Sequence, residues 1–216
     1  LFFNILKFIK EIEGNINLRW AALFRYTGMC SKYDLYNEED ISVFIKKLHT
    51  DEDLKESGMT AKRVLKRLKA STKRIKTVSE IVSEYQVDHE EDIKTSDVQY
   101  MYGRLRDNFY LVAGFLKSEN KLFYDRMNDE VSILLNKRNE NLKKLFDYGL
   151  IIEKDKLVTG VRDLAVTGDD LLKCGIRKGP EIGKMLNALT KAVIDGKVEN
   201  SRSELLCYAA SMTESR

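Results

Sequence analysis

Residues 61–82 read AKRVLKRLKASTKRIKTVSEIV. Val64, Leu65 and Leu68 recur at the 3.6-residue spacing that puts apolar side chains on one face of a helix, with Thr60 as its expected cap. After Ser71, Ile75, Val78, Val82 and Tyr85 repeat the pattern, so the stretch is expected to form two consecutive amphipathic helices. Its polar face is unusual in sign. Lys62, Arg63, Lys66, Arg67, Lys69, Lys73, Arg74 and Lys76 are joined by no acidic residue. Lys62, Lys66 and Lys69 share a face that Lys73 and Arg74 continue, a basic stripe beside Tyr85 suited to neutralising phosphates. The alternative is a solvated face balanced by Asp88, Glu90, Glu91 and Asp92.

The same periodicity extends to both sides. Towards the N-terminus, Ile41, Phe44, Ile45 and Leu48 follow a polar loop at 31–40, a helix over Leu18 to Phe24 carries Trp20 inward, and Phe2, Phe3, Ile5, Leu6, Ile9 and Ile12 form a first helix before Gly14. Towards the C-terminus, two longer patterns run from Ser96 to Lys117 and from Lys121 to Phe146, and are expected to pack as an antiparallel pair. From Asp147 to Val166 the pattern weakens into a connector with a short extended piece at Leu150 to Ile152. Helical signals resume at Thr167. The chain of 216 residues has a single proline, 12 glycines and 43% hydrophobic residues. The expected fold is all-α: an elongated multi-helix body over 1–146, a connector over 147–166 and a smaller helical tail over 167–216.

Composition bounds the chemistry. Thirty-seven basic against 34 acidic residues give a net charge of +3, too little to name a polyanionic partner. Cys30, Cys174 and Cys207 are far apart and form no zinc or disulfide pattern, and His49 and His89 read as surface or helix-end residues, so no metal site is expected. The apolar runs are too short for a membrane span, placing the protein in the cytoplasm. No Gly-Gly pair, Walker loop or nucleophile elbow occurs. The acidic clusters Asp51-Glu52-Asp53 and Asp169-Asp170 read as helix starts rather than as ligands for two-metal nucleotidyl transfer.

The stretch DLLKCGIRKGPEIGKML, Asp170 to Leu186, is the most specific. Gly175 suits a left-handed helix end and Pro180 the first turn of the next helix, whose N–H groups then stand beside Arg177 and Lys178. A helix N-terminus flanked by cations binds phosphate. Gly183 would let a backbone or a neighbouring helix approach, and Lys184 adds charge. The expected phosphate contacts are Arg177, Lys178, Gly179, Gly183 and Lys184, with Lys66, Arg67, Lys73 and Arg74 as a second surface. Alternatively, the three glycines only solve a tight helix-turn-helix packing problem.

The longer run from Asp163 to Ala209 resembles the C-terminal end of bacterial class II CCA-adding enzymes and related tRNA nucleotidyltransferases. Asp163-Leu164-Ala165-Val166, Gly168, Asp170-Leu171, Gly175-Ile176, Gly179-Pro180, Ile182-Gly183 and Leu205-Leu206 match its DLAV-x-G-x-DL, GI-x-x-GP-x-IG and N-x-R-x-x-LL elements in order. LRWAALFRYTGM, Leu18 to Met29, is similar to a family segment that elsewhere carries a His-Asp dyad and Gly-Lys. Arg25-Tyr26 stands in the dyad's place and Met29 in the lysine's, which argues against phosphohydrolase activity. In that family a neck region selects CTP or ATP through a Glu-Asp-x-x-Arg element, which Glu38-Glu39-Asp40 does not match.

The resemblance implies a division of labour, in which an N-terminal head adds nucleotides from CTP and ATP with Mg2+ while the helical body and tail hold tRNA. This chain, which begins at Leu1, is then expected to be a C-terminal fragment whose catalytic head is missing. It would have no catalytic residue or cofactor of its own, would bind tRNA, and would be inactive alone; its oligomeric state is open. The competing reading is a non-enzymatic helical module that binds protein or DNA. A stand-alone enzyme is the third.

Overall fold

The computed structural model describes residues 9, 15–27, 52–84, 91–124, 129–176 and 178–214. The chain is all-α, and among the described residues every regular element is helical. In chain order these are α1 (Ile16–Thr27), α2 (Glu52–Arg67), α3 (Thr72–Ser83), α4 (Thr95–Leu105), α5 (Phe109–Tyr124), α6 (Asp129–Asp155), α7 (Gly168–Lys173), α8 (Pro180–Ile194) and α9 (Arg202–Glu214), with 3₁₀ turns at Arg106–Asn108 and Val161–Asp163. Two compact units result, one of residues 1–93 and 107–146, the other of 94–106 and 147–216. Helix α6 contributes to both.

In the first unit, α2 and α3 are the two consecutive helices expected over 61–82, and they pack against each other. Ser71 caps α3 by accepting the Arg74 N–H, and Thr77, Val78, Ile81 and Val82 are buried. Helix α2 starts earlier than expected. Thr60 lies inside it, beyond its second turn, because the helix opens at Glu52 in an acidic stretch that the dipole favours. Leu65 is buried, but Leu68 is 58% exposed. The chain leaves α2 through a left-handed Lys69 (φ 54), with Ala70 N–H bonded to Leu65 O at 3.0 Å and Lys69 N–H to Lys66 O at 3.0 Å. That Schellman geometry turns Leu68 out of the helix's inner face. Gly58 lies opposite α3, where a Cβ would come within 2.8 Å of Ser83 Oγ.

A buried ion cluster joins α1, α3, α5 and α6. Arg25 donates to Glu119 through Nε at 2.6 Å and Nη2 at 3.2 Å, and through Nη1 to the carbonyls of Ile81, Val82 and Glu84 at 3.3, 2.8 and 2.7 Å. One guanidinium thus closes the C-terminus of α3, where orphan carbonyls and the negative dipole end call for a cation. Arg138 Nη2 donates to the same carboxylate at 2.8 Å. Helices α5 and α6 are antiparallel neighbours: Asn120 Nδ2 donates to Leu135 O at 3.1 Å, while Tyr110 and Phe146 rings lie 6.3 Å apart.

In the second unit, α4 buries Val98, Met101 and Leu105. The single helix expected from Ser96 to Lys117 is broken. Arg106 takes φ 48 and ψ −119, and a 3₁₀ turn separates α4 from α5. The expected extended piece at Leu150 to Ile152 is the last part of α6, which ends through Lys156 (φ 50) with Leu157 N–H on Ile152 O at 3.1 Å. Buried Ile152 lies between exposed Leu150 and Ile151 and Glu153; a short apolar run alone does not distinguish a strand from a helix end. Gly103 lets α4 touch the following segment, because a Cβ there would collide with the Thr159 carbonyl. Gln99 Nε2 donates to Val158 O at 3.0 Å.

Apart from Ile9, the expected helix over 2–12 lies outside the described residues, as do the helix over 41–48, the loop at 31–40, Cys30, Met29, Glu38-Glu39-Asp40, both histidines and Tyr85.

Candidate nucleic-acid interface

The glycine turn begins with α7. Thr167 Oγ1 accepts the Asp170 N–H at 3.4 Å, while Thr167 N–H and O–H both donate to Asp170 Oδ2 at 2.9 and 2.8 Å, a closed capping box. Arg202 of α9 donates to Asp170 Oδ1 at 2.5 Å. The hydrogen bonds from Thr167, with the Arg202 charge, hold the Asp170 carboxyl below the usual range. Helix α7 closes on Gly175 (φ 86), where Gly175 N–H bonds Leu172 O at 3.0 Å and Ile176 N–H bonds Leu171 O at 3.1 Å. Ile176 thereby enters the core of Val166, Leu171, Leu189, Leu205 and Ala209.

Helix α8 opens at Pro180, after Gly179 (φ 123), with no side-chain cap. The Ile182 N–H is taken by Gly179 O at 3.2 Å. Lys178, Gly179, Gly183 and Lys184 are exposed; Arg177 lies outside the described residues. A Cβ at Gly179 or Gly183 would meet nothing within 4 Å. Neither glycine is therefore needed to clear a neighbour, unlike Gly168, whose Cβ would stand 3.1 Å from Ile182 Cγ2. An open cleft of about 410 Å³ lies beside the turn, lined by Gly175, Ile176, Glu181, Lys184, Met185, Ala188, Met212 and Thr213. Of the charged lining residues, Glu181 opposes an anion there and Lys184 favours one.

Asn200 and Arg202, which reading by residue type passed over, fix this unit. Asn200 accepts the Ala165 N–H and donates to Asp163 O, both at 2.9 Å. They stand at the Asn and Arg of the N-x-R-x-x-LL ending, so the signal was present in the motif.

The second surface belongs to the first unit. Lys66 and Arg67 end α2, Lys73 begins α3, and all three are exposed; Arg74 is half-buried. Among the described residues, Asp92 does not balance them: it holds Lys137 and Lys144 at 2.8 and 2.5 Å, and those hydrogen bonds lower its carboxyl to about 2.

A family model, tRNA nucleotidyltransferase domain 2 (putative), matches residues 54–209. The chain belongs to this family. Among curated relatives, a CCA-adding enzyme of Lacticaseibacillus paracasei is 42% identical over 55 residues, 26% of this chain and 14% of that protein. One of Limosilactobacillus fermentum is 42% identical over 50 residues, 23% of this chain and 12% of that protein. One of Streptococcus thermophilus is 25% identical over 151 residues, 69% of this chain and 32% of that protein. The matched part is thus about a third or less of each relative's length. No solved structure matches.

Within this tRNA nucleotidyltransferase-related domain, no group of three or more His, Cys, Asp or Glu among the described residues is placed to hold a metal. Cys174 and Cys207 are exposed thiols. Among the described residues no helix is long and apolar enough to cross a membrane. Arg25, in the place of the family segment's dyad, is a buried structural cation.

Proposed function

We propose that this chain is the tRNA-holding region of a CCA-adding nucleotidyltransferase acting in the cytoplasm, with nucleotide addition from CTP and ATP carried out by a head of the same polypeptide. The observation that carries this reading is the turn at Lys178 to Lys184, which lies inside the family match. It combines an uncapped helix N-terminus, two exposed lysines and two glycines open on their Cβ side. Backbone N–H groups and lysines contact phosphates, while A-form shape rather than base sequence is read. Arg177 adds a third cation to the turn, and Lys66, Arg67, Lys73 and Arg74 form a second phosphate-facing surface.

Binding of a tRNA transcript and of a duplex DNA, followed by fluorescence anisotropy against salt, tests the reading. tRNA should bind more tightly, with an affinity falling steeply as salt rises, and Arg177→Glu or Lys178→Glu should weaken it without loss of helicity. Gly183→Ala separates binding from packing. With no neighbour in the way, it should leave stability unchanged or raise it by about 0.5–1 kcal/mol, yet weaken tRNA binding. Equal binding to both nucleic acids would favour a general interaction module and overturn the proposal.

A further inference from the structure

The C-terminal part of α6, within the second unit, leaves an apolar pair uncovered. Leu150 is 58% and Ile151 41% exposed. Among the described residues they are the only two large exposed hydrophobics that follow one another in the chain; Met59, Leu68 and Ile133 stand singly. A single exposed apolar residue needs no explanation, whereas neighbours on one helix face mark a contact surface. Asp147 and Lys154, both exposed, complete the row. The four follow the i, i+3, i+4, i+7 spacing of one face, while Gly149 and Ile152 on the opposite side are buried.

Neither Asp147 nor Lys154 has a side-chain partner among the described residues. Of the neighbouring carboxylates, Glu153 is held towards α4 by Tyr102, whose hydroxyl donates to Oε1 at 2.7 Å, and Asp155 lies at the edge of the row. The face thus presents one anion, two apolar side chains and one cation, in that order along about 10 Å of helix. Such a row is complementary to itself when reversed. A two-fold axis passing midway between positions 150 and 151 also lies midway between 147 and 154. In an antiparallel helix pair about that axis, Leu150 of each copy faces Ile151 of the other, and Asp147 faces Lys154. A parallel pair in register would instead oppose Asp147 to Asp147 and Lys154 to Lys154, which like-charge repulsion disfavours. A second copy supplies the reversed row by symmetry alone.

We propose that this face of α6 is a two-fold interface between two copies of the chain, formed by antiparallel packing of residues 147–154. The apolar pair forms the buried centre, and the two Asp147–Lys154 pairs form a rim that fixes orientation more than strength. Two helical turns per copy bury less than the roughly 1,200 Å² at which stable interfaces begin, so dimer and monomer exchange with concentration. The inference is independent of the tRNA reading, none of whose residues it uses.

The test is sedimentation equilibrium of the chain from micromolar to near-millimolar concentration, with circular dichroism to verify helicity. The weight-average mass should climb from that of one chain towards that of two. Leu150→Glu/Ile151→Glu should hold it at one with helicity unchanged, since both side chains are already exposed. Asp147→Lys sets lysine against Lys154 at both ends of the pair, and Lys154→Asp sets aspartate against Asp147; each alone should weaken association by about tenfold or more. Mixed one to one, these two variants regain both opposite-charge pairs and should form a heterodimer with the wild-type affinity, as should the double swap Asp147→Lys/Lys154→Asp with itself. A wild-type chain that stays monomeric across the range overturns the proposal. A dimer untouched by Leu150→Glu/Ile151→Glu overturns it too, because self-association then uses another surface. Loss in the apolar variant without rescue on mixing has the same force, since the antiparallel two-fold register requires that rescue.

Discussion

At the scale of single residues, Arg25 carries the largest structural consequence. Burial alone would raise the Glu119 carboxyl, but Arg25 and Arg138 hold it down to about 2. Its folded-state value lies below its ordinary 4.5, so its contribution to stability is complete above that value and is lost as pH falls from 4.5 towards 2. Arg25→Met leaves Glu119 buried with one partner fewer and uncaps three carbonyls. Urea denaturation should register a loss of about 3–5 kcal/mol, and acid unfolding of the variant should begin at higher pH. Lys69 offers the opposite sign. Its left-handed backbone (φ 54) suits glycine, so Lys69→Gly should stabilise by roughly 0.5–1 kcal/mol in the same assay. Neither effect was legible from residue type. Arg25 was read as a replaced dyad, while the carbonyls it closes come from α3 and its carboxylate partner is 94 positions away.

At the scale of elements, the tail shows how caps select helix limits. Helix α7 has only six residues and depends on its ends: a capping box at Thr167 and Asp170, and the Gly175 turn. Thr167→Ala should cost about 1 kcal/mol and shift the thermal midpoint downwards. These limits were readable because each rests on a few adjacent residues with distinctive chemistry: Thr-x-x-Asp at one end, Gly-Ile at the other, Pro at the next start. Thr60 misled for the converse reason. A hydroxyl residue inside a strong helix former's stretch resembles a cap, and the distinction lies in the preceding turn. The α4–α5 break was likewise hidden, since the positive φ at the end of α4 falls on Arg106, an ordinary residue, rather than on a glycine; separately, Gly103 leaves room for the Thr159 carbonyl. Gly103→Ala should therefore destabilise α4 and its neighbours by about 3 kcal/mol.

At the scale of the whole molecule, the division into two units predicts separable opening. In native-state hydrogen exchange, Arg25→Met should raise exchange first in α1, α3 and α5, and Gly103→Ala first in α4 and the 156–163 segment. The all-α class and the order of the main helices followed from the sequence, because periodicity, a single proline and glycine or serine punctuation are local and add up over each segment. The tail turn followed too, since its geometry is written within about ten residues. Pairing could only be decided by the fold. Arg25 with Glu119, Asn200 with Asp163 and Ala165, and the lysines that hold Asp92 all join residues far apart in the chain. Whether a charged side chain is buried, paired or left facing solvent depends on which distant groups the packed helices bring within hydrogen-bond reach.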